Sequence, residues 1–145
     1  MSITIRILFD ECVGTPVLEA IKRVFDLFEL NVEVKHIRDF QMNGVADEQW
    51  IPQIAAEGWI IITADRGKCG GSTQKLPRIC VDQKLPHVIL SSAVHHQQTA
   101  DKAASIISIW RKLVEAVSTA PPGTRFSLQF SGQDRRLAIV TGKPA

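Results

Sequence analysis

Four carboxylate side chains occupy positions from which they could meet in one cleft. Asp10 and Glu11 directly follow an apolar run, and Asp65 comes shortly after a second apolar run. Asp47 stands between the two runs, at the expected start of a helix. In open parallel sheets, ligands bind outside the carboxyl ends of the strands. We therefore expect these four carboxyl groups to converge, although they are far apart in the chain.

A cluster of carboxylates needs positive charge to relieve its repulsion. Two carboxylates about 4 Å apart repel each other by about 4 kcal/mol at an effective dielectric of about 20. Oxygen-only ligands favour hard cations, so we expect Mg²⁺ or Mn²⁺. Such an ion can activate water and stabilise charge on a phosphodiester. Each acid alone also has a structural explanation, because loops are polar and Asp47 suits a helix cap.

A basic segment follows the last of these acids. It contains Arg66, Lys68, Lys75 and Arg78. These side chains could hold a polyanion over the metal ion, and we take Arg66 and Lys68 as the candidate phosphate contacts. A solvated basic loop is the alternative explanation of the same residues.

Alternating strand and helix patterns predict the elements that position these residues. The predicted strands span 3–9, 32–37, 59–63, 87–90, 125–130 and 136–140. The predicted helices span 15–29, 48–57, 76–83 and 99–118. This alternation is typical of a mostly parallel sheet. We therefore predict an α/β fold, a three-layer α/β/α sandwich with a C-terminal β-hairpin or edge strands.

Three residues mark the ends of the first two helices. Thr15 and Pro16 are typical of an N-cap and a first helical position. Gly58 is predicted to end the second helix. Pro52 lacks a backbone N–H, so the second helix should either kink or start late.

The long helix 99–118 has an apolar stripe that should face the core. Its members are Ala103, Ile107, Trp110, Val114 and Val117. Trp50 and Trp59 are likewise expected in the core. His36 should lie in a strand near the cleft or the surface, and His95 and His96 should lie in an exposed polar loop.

Length and composition predict one globular domain. The chain has 145 residues with 45% apolar and 22% charged residues, which is typical of globular proteins. We predict a single domain over 1–145, with a core at about 3–118 and a C-terminal strand extension at 124–141. The net charge of +2 does not indicate a dedicated duplex-DNA binder.

The cysteines and the apolar runs favour a cytoplasmic protein without membrane contact. Cys12, Cys69 and Cys80 form no CxxC pair, which argues against structural zinc and favours free thiols. We expect no signal peptide, because the first apolar run is short and ends in two acids. No apolar run approaches the roughly 18 residues needed to span a bilayer.

Three short motifs, in this order, resemble the PIN-like domain family, which includes the VapC-type toxins of toxin–antitoxin pairs. They are ILFDECV at 7–13, G-x-x-D-E-x-W at 44–50 and EGWIIITADRG at 57–67. The resemblance covers about residues 3–92. It implies a sheet flanked by helices and a metal-dependent ribonuclease.

The resemblance also assigns roles by position. Asp10, Asp47 and Asp65 match the metal-binding catalytic acids, and Glu11 matches the acid beside the first of them. Thr63 matches a polar position often found just before the third acid, and we count it among the substrate-binding residues.

This chain departs from the family pattern at one position, and this leaves the identity of a fourth metal ligand open. Many relatives have a further acid about two residues after the third, where this chain has Gly67. A fourth ligand would have to be Glu11, Glu48, Asp82 or water. The C-terminal hairpin is not part of the minimal family core.

The resemblance further implies partners, and two other functions stay open. RNA would be the substrate, a cognate antitoxin protein the inhibitor, and a homodimer a common assembly. One alternative is a receiver-type phosphoacceptor switch, with Asp65 as acceptor and Ser91 or Ser92 as the hydroxyl after the fourth strand. The other is a catalytically inactive domain that binds RNA or an antitoxin.

Overall fold

Six strands form one sheet in the computed structural model, which describes residues 5–9, 13–27, 32–40, 47–63, 76–131 and 134–140. The strands are β1 (Ile5–Phe9), β2 (Val32–His36), β3 (Trp59–Thr63), β4 (His87–Leu90), β5 (Arg125–Ser131) and β6 (Asp134–Ile139). Their order across the sheet is β2-β1-β3-β4-β5-β6. All neighbours are parallel except β5 and β6, which form an antiparallel pair.

Helices connect the parallel strands. They are α1 (Thr15–Leu27), α2 (Asp47–Ala55), α3 (Leu76–Asp82), α4 (Ser92–His95), α5 (Thr99–Ser108) and α6 (Trp110–Thr119). A 3₁₀ turn, Ile37–Phe40, follows β2. Within the described residues, none of the helices is long and apolar enough to cross a membrane.

The sheet has a hydrophobic core on each face. Successive strand residues point to opposite faces, and in β1 Ile7 and Phe9 belong to one core while Leu8 belongs to the other. The first core includes the buried residues of α1, α5 and α6. The second includes those of α2 and α3. The predicted three-layer α/β/α arrangement with a mostly parallel sheet and an added C-terminal strand pair is therefore confirmed.

The chain turns in opposite directions from two neighbouring strands, β1 and β3. From β1 it passes through α1 to β2 at one edge, whereas from β3 it passes through α3 to β4 on the other side. Phe9 is the register partner of Ile62, so the two strands end side by side. Open α/β sheets bind ligands in the crevice at such a topological switch point.

Most of the predicted elements are present, with helix ends shifted by one or two residues. The β3 and β4 predictions match the observed strands. The second helix runs from Asp47 to Ala55 and includes Pro52, so it does not start late. Gly58 has a positive φ of 76°, which fits its predicted place after the helix because glycine adopts this conformation without steric cost.

The single long helix predicted over 99–118 is wrong, because the structure has α5 and α6 with a break at Ile109. The Ile109 N–H donates to the Ile106 carbonyl three residues earlier. The Ser108 hydroxyl also bonds to the Ser105 carbonyl, at 2.8 Å, and such local bonds compete with regular helix geometry.

The buried stripe of this region was also predicted only in part. Ala103 is buried as expected, but Ile106, Ile109 and Leu113 are more deeply buried than Ile107, Trp110, Val114 and Val117. Trp110 packs on Phe25 of α1 with ring centroids 5.4 Å apart. Trp50 and Trp59 are in the core, as predicted.

Candidate active site at the carboxyl edge of the sheet

The predicted site residues fall partly outside the described part of the chain. Asp10, Glu11, Asp65, Arg66 and Lys68 lie outside it. The backbone of Asp47 is described as the first residue of α2, whereas its side chain is not. Thr63 is described, and it is the last residue of β3 and fully buried.

The strand residues that precede the predicted acids lie next to each other. Phe9 ends β1 and pairs with Ile62, and Thr63 is the next residue of β3. Asp10 directly follows Phe9 in the sequence, and Asp65 is the second residue after Thr63. The strand ends that precede the two acidic segments therefore lie at the same edge, and neighbouring strands are about 4.8 Å apart.

The third predicted acid belongs to an element that begins on this side of the sheet. β2 ends at His36, the register partner of Phe9. The chain then passes through the 3₁₀ turn and the undescribed residues 41–46 to α2, which begins at Asp47. Because α2 leads back to the start of β3, its first residue lies toward the carboxyl edge.

Asp82, one of the options for a fourth ligand, lies elsewhere. It is the last residue of α3, five residues before the start of β4, and is exposed. Its carboxylate lies 3.7 Å from the Arg78 guanidinium. This end of α3 leads to the amino-terminal edge of the sheet, so Asp82 does not lie with the ends of β1 and β3.

His36 is a residue near the candidate site whose role the sequence did not show. It is buried at the end of β2, and its Nε2–H donates to the Val13 carbonyl at 2.9 Å. Val13 is the first described residue after the segment that contains Asp10 and Glu11. The His36 N–H also donates to the Asp39 carboxylate at 2.8 Å. His36 thus links the end of β2 to the chain between β1 and α1.

The prediction that His95 and His96 lie in an exposed loop was partly wrong. His95 and His96 lie at the end of α4 rather than in a loop. His96 is exposed, but His95 is half-buried, and its Nδ1 accepts a hydrogen bond from the Lys102 ammonium at 2.9 Å. The sequence contained no sign of this contact, because it joins two different helices.

The predicted acids are the residues whose donor atoms suit the expected Mg²⁺ or Mn²⁺ ion. In the described part of the chain, no group of three or more histidine, cysteine, aspartate or glutamate residues could hold a metal ion. Cys80 is a free, buried thiol in the second core. Asp10, Asp47, Asp65 and Glu11 supply oxygen donors alone, which is the ligand type preferred by Mg²⁺ and Mn²⁺.

One comparison with known proteins relates this site to a family. Residues 5–67 match the family model described as "PIN like domain". The match spans β1 to β3 and both acidic strand ends, although it covers less than half of the chain. Neither the curated proteins nor the solved structures compared with the chain match it. The match supports the PIN-like resemblance and, in general terms, a nuclease-type function.

Proposed function

We propose that the chain is a metal-dependent ribonuclease whose active site lies at the carboxyl edge between β1 and β3. The observation that supports this most is the side-by-side ending of these two strands at a topological switch point. Each strand is followed within two residues by an aspartate. The PIN-like match over 5–67 includes both positions.

In this proposal, the carboxylates of Asp10, Asp47, Asp65 and Glu11 bind one or two Mg²⁺ or Mn²⁺ ions. A divalent cation bound there would supply a water of lowered pKa and positive charge beside the scissile phosphodiester. The carboxylates fix the cation and orient water by accepting hydrogen bonds. Arg66 and Lys68 are the proposed contacts to the RNA phosphates.

Thr63 has a narrower proposed role than the basic residues. Its side chain is fully buried at the end of β3. Contact between Thr63 and the substrate therefore requires the RNA to reach the strand end itself. Asp65 is the second residue after Thr63 in the sequence, so we test Asp65 by its own substitution rather than through Thr63.

We infer the biological setting from the resemblance to VapC-type toxins. A ribonuclease of that type needs a neutralising antitoxin protein, and we propose one as the partner of this chain. The antitoxin would block the same acidic edge that we assign to the substrate. Co-expression with the neighbouring coding sequence, followed by co-purification, tests this part separately from catalysis.

The experiment that tests the nuclease proposal is cleavage of single-stranded RNA in Mn²⁺. We expect Asp10→Asn and Asp65→Asn to lose at least about 100-fold in rate, because even residues behind metal ligands contribute about 10–100-fold. Asp47→Asn should lose activity as well. Asp26→Asn is the matched control, since Asp26 is an exposed aspartate of α1.

Two results would contradict the proposal. One is wild-type rates from Asp10→Asn and Asp65→Asn proteins whose circular dichroism shows a native fold. The other is no cleavage by the wild-type chain with any divalent metal, combined with tight RNA binding, which would favour the inactive binding domain.

The sheet order favours one second candidate, a receiver-type phosphoacceptor switch. The five parallel strands have the order 2-1-3-4-5, which is also the order of flavodoxin-like and receiver folds. Ser91 follows β4 directly and caps α4 through its hydroxyl. However, β5 is followed by antiparallel β6 rather than by the lysine that such a switch requires. Intact mass after incubation with a small phosphodonor separates the two, because a labile phosphate on Asp65 supports the switch.

A further inference from the structure

A polar network connects α4, α5 and β6 beside the sheet. The Lys102 ammonium of α5 contacts His95 of α4 at 2.9 Å. One helical turn further along α5, the Ser105 hydroxyl accepts a hydrogen bond from Arg135 Nε of β6 at 2.8 Å. Residues three apart on a helix have Cβ atoms about 5–6 Å from each other, so these two contacts are neighbours.

The Lys102 contact fixes the protonation of His95. An ammonium group only donates hydrogen bonds, so His95 Nδ1 must accept, and the ring is neutral with its proton on Nε2. Burial lowers the pKa of His95, and the charge of Lys102 and the ring of His96 lower it further. His95 therefore presents a fixed N–H donor.

The Ser105 contact fixes the direction of the Arg135 side chain. Ser105 is fully buried, and its hydroxyl donates to Gln97 Oε1 at 2.7 Å while accepting from Arg135 Nε. Because Nε donates to this buried hydroxyl, the orientation of the Arg135 guanidinium plane is fixed. Arg135 is itself half-buried, and a guanidinium held in this way is well suited to an anionic oxygen pair.

The network lies at the same edge of the sheet as the proposed active site. Ser91 follows the end of β4, and its N–H donates to the Leu128 carbonyl of β5. Arg135 pairs with Phe130, two residues beyond Leu128 toward that edge. With strands about 4.8 Å apart, β6 is about 14 Å from β3 and about 19 Å from β1.

We propose that His95 and Arg135 bind one phosphodiester group of a single-stranded RNA, at a distance from the bond that the acidic edge cleaves. The inference rests on the proposed function for its choice of ligand. His95 Nε2–H and the guanidinium of Arg135 are the contacting donors. Lys102, which is only 6% exposed, acts with Ser105 and Gln97 as a positioning residue.

A binding measurement without cleavage tests this subsite. The affinity of the full chain for a fluorescent single-stranded RNA is measured by anisotropy in EDTA, at several salt concentrations. We expect Arg135→Gln to weaken binding about tenfold and to reduce the salt slope by about 0.7, the value for one lost phosphate contact on a single strand. His95→Gln should weaken binding less, because it removes an uncharged donor.

Arg111→Gln is the matched control, because Arg111 is an exposed arginine on α6. Arg135→Lys keeps the charge and should retain most of the salt slope, which also guards against an effect of misfolding. The proposal is overturned if Arg135→Gln and Arg111→Gln bind RNA with the same affinity and salt slope. If the wild type binds RNA with the expected slope but never cleaves it, the nuclease proposal fails and the subsite stands.

The positioning role of Lys102 has its own measurement. In Lys102→Met, ¹⁵N NMR should show a raised pKa for His95 and a mixture of its two tautomers, and RNA affinity should fall. Unchanged His95 tautomers in Lys102→Met would contradict the role given to Lys102.

Discussion

His36 contacts the chain directly after the acidic segment that follows β1. Its imidazole lies at the end of β2 and holds the Val13 carbonyl at 2.9 Å. Asp10 and Glu11 stand between the fixed points Phe9 and Val13 in the sequence. The contact therefore fixes the chain at Val13, just after the segment that we propose to bind the cation.

We predict that His36→Phe lowers the RNA cleavage rate about 10–100-fold, which is typical of residues behind a metal site. It should also lower the free energy of unfolding by about 1–3 kcal/mol, because the buried Val13 carbonyl loses its donor. His36→Gln keeps an N–H donor and should recover part of the rate. Steady-state cleavage kinetics and urea unfolding measure both effects.

Equal rates for wild type, His36→Phe and His36→Gln would contradict this role. If both variants lose the same stability but only His36→Phe loses rate, the loss is one of positioning rather than of folding.

His87 gives the fold a pH dependence that is independent of the proposed site. It is fully buried at the start of β4, and among the described residues neither of its ring nitrogens has a hydrogen-bond partner. Burial lowers the pKa of His87 to about 4; the backbone of Leu85 opposes this shift, and the charge of Arg125 adds to it. The native state therefore keeps His87 neutral where the unfolded chain becomes protonated.

We predict that the stability due to neutral His87 is complete above pH 6.5 and is lost as the pH falls from 6.5 toward 4. The unfolded state binds the additional proton over this interval, so the free energy of unfolding decreases with falling pH. The decrease between pH 7 and 5 should be about 2 kcal/mol, at about 1.4 kcal/mol per pKa unit. Urea unfolding at a series of pH values measures it.

His87→Leu should remove most of this slope, because only the smaller contribution of His95, whose pKa is also lowered, remains. At pH 7 it should be no less stable than wild type, because it eliminates two buried polar atoms without partners. His96→Gln is the control, since His96 is exposed, and it should keep the slope. An unchanged slope in His87→Leu would show that His87 is not the titrating group.

Some residue roles could be predicted from the sequence, whereas contacts between different elements could not. The acids after the apolar runs could be proposed from sequence because their type and their place in the chain are local properties. His36–Val13, Lys102–His95 and Arg135–Ser105 are contacts between different elements. No spacing rule connects such residues until the sheet order and the helix packing are known.

At the scale of elements, two glycines with positive φ lie in the connections between helices and strands. Gly58 has φ of 76° between α2 and β3, and a Cβ there would meet nothing within 4 Å. Gly123 has φ of 81° before β5, and a Cβ there would lie 3.2 Å from the Val81 carbonyl oxygen and 3.3 Å from Lys84 Cα. The first position needs only conformational freedom, whereas the second also needs space.

We predict that Gly58→Ala costs about 1 kcal/mol of stability, the usual cost of a left-handed conformation for alanine. Gly123→Ala should cost about 2–4 kcal/mol, because the backbone must also move. Gly14→Ala, whose Cβ makes only an ordinary 3.5 Å contact with Pro16, should change stability by less than about 0.5 kcal/mol. Thermal or urea unfolding ranks the three, and a Gly123→Ala protein as stable as Gly58→Ala would contradict the packing argument.

Strands were easier to predict from sequence than the long helical region. β3 and β4 are buried on both faces, so a continuous apolar run marks each of them. The region 99–119 follows a helical apolar period throughout, yet the chain breaks it at Ile109 so that Ile106, Ile109 and Leu113 all reach the core. That break depends on packing against the sheet and α1, and the periodicity of the sequence carries no information about this packing.

At the scale of the whole molecule, the sheet order explains why distant acids could act together. The switch between β1 and β3 brings residues near positions 10 and 65 to neighbouring strand ends. The same edge continues through β4 and β5 to β6, where the proposed RNA phosphate subsite lies. We therefore propose that one surface along the carboxyl edge contains both the acidic site at β1 and β3 and the phosphate subsite at β6.

A crystal of the full chain soaked in Mn²⁺ tests the central claim most directly. We predict an anomalous peak at the ends of β1 and β3, with carboxylate oxygens of both Asp10 and Asp65 at about 2–2.5 Å from it. Asp10→Asn crystals treated in the same way should lose most of the peak. Asp10 and Asp65 carboxyl groups too far apart to share an ion, with no peak between them, would contradict the account.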